Sequence, residues 1–451
     1  MYAIGLDIGT TTVCGIMIHS ASGEVIKTIT EKNDSFIHGK PFEKIQDPQI
    51  ILNKVLSILD CFLSTHSDIE CIGITGQMHG IVYLDINGNV VSPLYTWQDE
   101  SGNQLYNNAL TYSQILSQRT GYQMSSGFGL TTFFYHYINN IIPDNAVTFC
   151  TIHDFIAMKL TGRTSPVLHI SNAASLGLCD IEKRKFDVEV IKKAFLPTEF
   201  LPSIGNDETV LGDFHGIPVS LAIGDNQASY IGSVCNMNNC LLVNVGTGSQ
   251  ISLVKHQQNS NQMETRPCLD HVNLLVGSSL CGGRAFSSLE QFFRQVVEMV
   301  TQEPCATAYK GMDKVLDQLS DINTDLIVNT QFCGTRNDPN ARGFIQSLSL
   351  NNFTPKDMML GMLHGIVDEL FLIYKNANDD HLQSYEHLIG SGNGIRQNKT
   401  LQQIVSAKFH KPLKIPVHKE EAAFGAILYA LTSIGSFPSI EQAQKIIRYI
   451  D

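Results

Sequence analysis

A mixed α/β chain built from two similarly folded halves is what this sequence predicts, and three observations predict it. At 451 residues the chain exceeds the usual reach of one hydrophobic core, so two domains of roughly 200 residues each are expected. The stretch LLVNVGTGSQ at 241–250 nearly repeats part of GLDIGTTTVCGIMI at 5–18. Strand-like runs alternate with helix-like ones in both halves, which implies layers of sheet and helix.

Aligning Gly9 with Gly246, 237 residues later, pairs Leu6 with Val243, Asp7 with Asn244, Ile8 with Val245, Thr10 with Thr247 and Thr12 with Ser249. Each copy reads as a strand, a turn of glycine and hydroxyl residues, and a second strand, the pattern of a β-hairpin. The interval is far longer than a solenoid repeat. One such turn alone is an ordinary hairpin. Two of them half a chain apart suggest a pair of turns clamping a polyphosphate, because backbone N–H groups in such turns can hold phosphate without basic side chains.

After each hairpin comes a helix-like stretch, DPQIILNKVLSILDCFLSTH at 47–66 and AFSSLEQFFRQVVEMV at 285–300, with apolar residues at three- and four-residue spacing. The small, polar stretch IGSVCNMNN at 231–239 marks the domain boundary. Domains over 1–232 and 233–451 follow.

Composition narrows the function. Hydrophobic residues make up 43% of the chain and charged ones 16%, which excludes a disordered tract, and no apolar run reaches the roughly 18 residues needed to span a membrane. The net charge of -12 with no Lys/Arg block argues against nucleic acid as a partner. The 11 cysteines are scattered without a C-x-x-C pair, and the chain opens on YAIGLDI with no secretory signal pattern, so reduced thiols in a cytoplasmic protein are expected. P-loop, protein-kinase and H-E-x-x-H signatures do not occur in the sequence, so any phosphate chemistry falls to the two Gly/Thr turns.

Four further segments carry candidate chemistry. In GITGQMHGIVYLD, Gln77, Met78 and His79 sit between glycines just after a strand-like run. A lone histidine there is equally an ordinary hydrogen-bonded group. LYTWQDESG holds Trp97, the only tryptophan, followed by Gln98 and Asp99. An indole face beside an amide and a carboxylate suits a polyhydroxylated ligand, although a partly buried Trp at a helix start has the same pattern. In SLAIGDNQASYIGS, Asp225 follows an apolar strand and a glycine, where a carboxylate can project from a loop as a general base. HLIGSGNGIRQNKTL packs Gly390, Gly392 and Gly394 before a helix-like run. It is not a dinucleotide fingerprint, since no glycine occupies the third position.

Taken together these segments resemble the FGGY family of carbohydrate kinases. The likeness runs in family order through LDIGTTT, GQMHG, TWQD, TIHDFIAMKLTGR, SNAASLGLCD, GDNQAS, NVGTGSQ, GTRNDPNARGF (334–344), IGSGNGIRQN and EEAAFGAIL (420–428). The resemblance implies two ribonuclease H-like domains of the actin- and Hsp70-like ATPase fold around a central cleft. It implies ATP and Mg²⁺ as cofactors and a small ketose as substrate, phosphorylated at its terminal primary hydroxyl.

Carried over, the resemblance makes Asp225 the catalytic base and puts Asp7 near the metal, through water. Thr10, Thr11, Thr12, Thr247 and Gly248 become phosphate contacts. Gly390, Gly392, Asn393 and Asn398 line the adenine pocket, where Ser391 stands in place of a family glycine and bears on nucleotide fit. Gln77, Met78, His79, Trp97, Gln98 and Asp99 shape the sugar site with Asp225. TWQD, SSGFGLTTFFY, TIHD, NAAS, GDNQAS and SSLCGGRAF are most similar to the sedoheptulose-phosphorylating branch, and Gln98 and Gln227, at two places expected to face the sugar, differ from xylulose kinases. Sedoheptulose is therefore the expected substrate and xylulose its rival, in a monomer or homodimer. A non-catalytic ATP-binding sugar sensor or assembly protein is the reading from another class.

Overall fold

The computed structural model describes residues 1–254, 263–335, 338, 340–377 and 385–450. Arg336, Asn337 and Pro339 of the GTRNDPNARGF stretch lie outside the described residues. The chain forms two compact units. The first comprises Met1–Gly232, Arg266–Asn273 and Glu420–Arg448, and the second Ser233–Thr265, Leu274–Lys419 and Tyr449–Asp451. Two excursions of the second half of the chain therefore belong to the first unit, where contiguous halves divided at 232/233 are expected from sequence.

The first unit is built on β1 (Tyr2–Ile8), β2 (Thr12–His19), β3 (Val25–Lys32), β4 (Ile69–Gly76), β5 (Val210–Phe214) and β6 (Ile217–Ser220), ordered β5-β6-β4-β1-β2-β3, with β7 (Ile223–Gly224) paired to the end of β4. The β1–β2 hairpin is antiparallel with Ile8 opposite Val13, and β1 runs parallel to β4 with Asp7 opposite Thr75. Helix α1 (Pro48–Leu63) starts where Asp47 accepts the N–H groups of Gln49 and Ile50, a side-chain cap followed by proline at the first helical position. It buries Ile51, Val55, Ile58 and Phe62, three or four residues apart along one face. Helix α2 (Asp225–Ser233) follows β7 directly.

The second unit repeats the arrangement. Strands β8 (Cys240–Val245) and β9 (Ser249–Val254) form an antiparallel hairpin with Val245 opposite Ser249. With β10 (Glu264–Leu269), β11 (Val272–Ser279), β12 (His387–Ser391), β13 (Leu413–Pro416) and β14 (Tyr449–Ile450), the sheet runs β10-β11-β9-β8-β12-β13-β14. As in the first unit, the leading strand of the hairpin has an antiparallel partner on one side and a parallel one, β12, on the other. Its helices include α3 (Gly282–Thr301), α4 (Pro355–Ala377), α5 (Asn393–Gln397) and α6 (Lys399–Phe409). Its core joins Leu241, Val243 and Val245 of β8 to Leu363, Val367 and Leu370 of α4 and Ile404 and Val405 of α6.

A later helix, α7 (Glu421–Ser433), belongs to the first unit and is almost wholly buried, with Ala423 through Leu431 all inside. It lies so close to β1 and β4 that a Cβ at Gly5 would collide with the carbonyl of Ala423, and one at Gly73 with the carbonyl of Ala426. These two glycines allow a helix to seat directly on strand backbone.

Candidate active site

In the first unit, two acidic side chains stand at strand and helix ends. Asp7 is the penultimate residue of β1, just before the Gly9–Thr11 turn, and Asp225 is the first residue of α2. Both are half-buried. Burial, and then the charges of Asp225 and Glu420, push the Asp7 carboxyl up to about 7. Burial pushes Asp225 up to about 6, against the N–H of Asn226 and the charge of Arg266, which favour its ionised form. A carboxylate titrating near 6 is still mostly ionised at neutral pH and is a stronger base than an ordinary aspartate. Perturbed acids brought together in this way mark functional sites.

The approach to Asp225 is held by buried polar groups. Asn172 donates from Nδ2 both to the Ala222 carbonyl at 2.9 Å and to Asp154 Oδ1 at 2.8 Å. Ser171 Oγ accepts the Gly224 N–H at 3.1 Å. Thr151 Oγ1 donates to Asp154 Oδ2 at 2.6 Å, and burial raises the Asp154 carboxyl to about 7. The TIHD and SNAAS segments thus fix residues 222–224, and with them the start of α2. A satisfied buried network rigidifies what it touches.

Around the β1–β2 turn, the other expected residues take distinct positions. Thr11 and Thr12 are exposed. The Thr10 hydroxyl donates to Gln77 Oε1 at 3.1 Å and accepts from Trp97 Nε1 at 2.9 Å. Trp97 keeps 48% of its surface exposed, and Gln98 beside it is exposed too. Met78 is buried against Gly224, where its Sδ would lie 2.7 Å from an added Cβ. His79 adopts φ 72°. Its Nδ1 pairs with the Ser175 carbonyl at 2.7 Å, and its ring stacks on Phe128 at 4.8 Å. The aromatic stack and the strained backbone fix its orientation.

Two residues expected to face the sugar are engaged within the protein. Asp99 is buried and accepts backbone N–H groups with both oxygens, from Ser101 at 2.9 Å and Lys44 at 3.3 Å. Gln227 has 0% exposure, and its Nε2 donates to the Pro267 carbonyl at 2.9 Å. Together with Arg184, which bonds the Leu269 carbonyl at 2.9 Å and Asp270 at 3.1 Å, Gln227 secures the Arg266–Asn273 segment in the first unit. That segment supplies Arg266, the cation that acts on Asp225. Sequence reasoning missed Arg266, Glu420 and the buried Gln46. Only Glu420 had a signal, as the first residue of the EEAAFGAIL segment.

In the second unit, the turn at Gly246–Gly248 is closed by the Gly246 N–H on the Gly248 carbonyl at 2.9 Å. The first turn of α3 donates to it: Gly283 N–H to the Gly246 carbonyl at 2.9 Å and Arg284 N–H to the Thr247 carbonyl at 3.0 Å. The Thr247 side chain is exposed. Asn244 Nδ2 donates to Ser391 Oγ at 2.8 Å, so the serine that replaces a family glycine ties this hairpin to the glycine-rich segment. Gly390 lies within β12 opposite Val243. Gly392 has φ 83° and Asn393 opens α5. Asn398 caps α6, its Oδ1 accepting the Leu401 N–H at 2.8 Å.

Comparison with known proteins places the chain among relatives. Residues 2–232 match the N-terminal domain of the FGGY family of carbohydrate kinases and residues 246–434 its C-terminal domain. Sedoheptulokinase of Mus musculus is 24% identical over 475 residues, covering 95% of this chain and 97% of the relative. Xylulose kinase of Staphylococcus xylosus is 25% identical over 461 residues, covering 95% and 90%. The ligand-bound xylulose kinase structure from Lactobacillus acidophilus superposes with a TM-score of 0.84 at 19% identity, covering 100% of this chain and 93% of that one.

Proposed function

Since the chain belongs to the FGGY family of carbohydrate kinases and is an ATP-dependent sugar kinase, we propose that its substrate is a ketose, sedoheptulose in the first place, phosphorylated at the terminal primary hydroxyl. In this reading Asp225 accepts the hydroxyl proton as the sugar oxygen bonds to the γ-phosphorus of ATP. The bond from that phosphorus to the bridging oxygen breaks, and ADP leaves. Phosphoryl transfer depends mainly on alignment and on stabilising charge, so a late-acting carboxylate suffices. The observation that supports the proposal is the position of Asp225 on a braced helix start, its carboxyl raised by burial to about 6 and its charge near enough to help keep Asp7 protonated.

The donor set fits Mg²⁺ brought in with the nucleotide. Burial, and then the charges of Asp225 and Glu420, raise the Asp7 carboxyl, and a cation would favour its ionised form. Among the described residues, no group of three or more His, Cys, Asp or Glu could hold a metal by itself, so Asp7 would meet the ion together with phosphate and water. When bound, Mg²⁺ supplies neutralisation of the transferring phosphate. Thr11, Thr12, Thr247 and Gly248 serve in this reading as phosphate contacts, and the Gly392–Asn393 segment receives the adenine.

For the sugar, support comes from the exposed Trp97 and Gln98, from the segments shared with the sedoheptulose branch and from the mouse relative. Gln227 is buried with its Nε2 on the Pro267 carbonyl, but its Oε1 beside Gly224 has no partner among the described residues, so it stays with Gln98 in the case against xylulose. The test is mass spectrometry of products after incubation with ATP, Mg²⁺ and separate pools of sedoheptulose, xylulose and ribulose, with kcat/KM for each product formed. Sedoheptulose phosphate as the best product supports the proposal. Preference for xylulose replaces the substrate and keeps the mechanism. Absence of any phosphorylated sugar sinks the proposal in favour of a sensor or assembly protein.

A further inference from the structure

Gln46 lies on the two-residue strand Ile45–Gln46 and has 0% exposure. Its Nε2 donates to the Thr10 carbonyl at 2.9 Å, and its Oε1 accepts from Gln77 Nε2 at 2.8 Å. Gln77, itself buried, accepts the Thr10 hydroxyl proton on Oε1 at 3.1 Å, and Thr10 Oγ1 accepts the Trp97 indole N–H at 2.9 Å.

The direction of every bond in this ring is determined by its two ends. The Thr10 carbonyl can only accept and the indole N–H can only donate. The first condition turns the amino end of Gln46 toward Thr10 and its oxygen toward Gln77. Gln77 must then present its amino end to Gln46 and its oxygen to the Thr10 hydroxyl. The Thr10 oxygen is left with a lone pair for the indole. Two amides whose orientation is ordinarily ambiguous are thereby assigned.

The consequence for Thr10 is specific. Its single hydroxyl proton is committed to Gln77 and is not offered to a phosphate oxygen. We infer that Gln46 is a positioning residue which, through Gln77 and the Thr10 hydroxyl, sets the Trp97 indole as the platform for the sugar. Thr10 thus belongs with the sugar side, while its neighbours Thr11 and Thr12 point into solvent. The assignment of the indole to a sugar rests on the kinase reading above; the ring of hydrogen bonds does not.

Trp97 is the only tryptophan in the chain, so intrinsic fluorescence reports on this indole alone. Gln46→Met keeps the shape and removes both hydrogen bonds. It should raise the KM for sugar about tenfold, the usual effect of leaving buried partners unsatisfied, with the KM for ATP changed less than about twofold. Acrylamide quenching of the indole should rise in the same variant. Thr10→Val should behave alike, and Thr10→Ser, which keeps the hydroxyl, should restore both readouts. In a Trp97→Phe background, Gln46→Met should change the sugar KM by less than about twofold, because the two substitutions act through one path.

A full effect of Gln46→Met persisting in the Trp97→Phe background would overturn the inference. So would a Thr10→Val variant that loses ATP affinity while sugar affinity and quenching stay unchanged. If Gln46→Met does not fold, the Thr10 pair decides alone, since that position lies on a partly exposed turn. If the wild-type protein phosphorylates no sugar, the kinase reading fails separately, and quenching still tests whether Gln46 and Thr10 hold the indole.

Discussion

Burial, and after it the charge of Asp225 across the ends of β7 and β1, hold a proton on Asp7, so that the Asp7 carboxyl is raised to about 7 while burial raises Asp225 itself to about 6. Two acids with raised and different values give a site one group that is ionised at neutral pH and another balanced between its forms. Removing the base should therefore be costly in rate. Asp225→Ala is expected to lower kcat by about two orders of magnitude or more, the usual worth of a positioned general base. ATP binding, followed by the quenching of a fluorescent nucleotide analogue, should be largely kept; near-normal turnover would remove Asp225 from the role.

Asp7 makes a prediction about stability against pH. Its folded value, about 7, lies above the ordinary 3.8, so between these limits the folded state binds more protons than the unfolded one. The stability this provides is full at low pH and is lost as pH rises through about 7. Asp7→Asn, which stays neutral, should raise stability at pH 7.5 by roughly 1–3 kcal/mol and flatten its dependence on pH. Thermal melts at pH 5 and 7.5 check this, and a variant less stable than wild type at pH 7.5 counts against it. The same variant should lose turnover, since a site built for a cation gives up stability for function.

The second turn separates the two ligands. Thr247→Val removes an exposed hydroxyl and leaves the backbone bond to Arg284 in place. The KM for ATP should rise by about ten- to a hundredfold, as for the loss of one hydrogen bond to a charged group, with the KM for sugar unchanged. Equal losses for both ligands would point to a general structural defect.

Gly392→Ala addresses the glycine-rich segment. The residue has φ 83°, and a Cβ there would lie 2.6 Å from the Val245 carbonyl oxygen. Strain and collision together should destabilise the protein by about 2 kcal/mol or more. Urea unfolding measures it, and a change below about 0.5 kcal/mol would contradict the close approach.

Much of this was legible in the sequence. The paired hairpins announced themselves because strand periodicity, glycine and hydroxyl residues recur at matching places, and α1 and α3 were visible from apolar spacing. The excursion of α7 into the first unit was not legible. A helix such as EAAFGAILYALTS reads as buried, yet nothing in its pattern names the sheet that buries it. Among candidate site residues, Asp225 stood out by its place after a strand and a glycine, while Asp7 entered only through the family resemblance. The backbone partners of Gln227 and Asp99 were not legible, because an amide or carboxylate held by backbone has the same sequence pattern as one that is not. Gln46 gave no signal, for its importance lies in two partners, Thr10 and Gln77, each more than 30 residues away along the chain.

The seating of α7 on Gly5 and Gly73 has a consequence for biosynthesis. Strands β1 and β4 are translated by residue 76, but the helix that covers them emerges more than 340 residues after Gly73. Until then β1 and β4 present bare glycine backbone and neighbouring apolar side chains to water, and Asp7 lacks the negative neighbour at residue 420. An N-terminal fragment released early is an open sheet, prone to aggregation and to capture by chaperones. The site acquires its electrostatics only once residue 420 has been made.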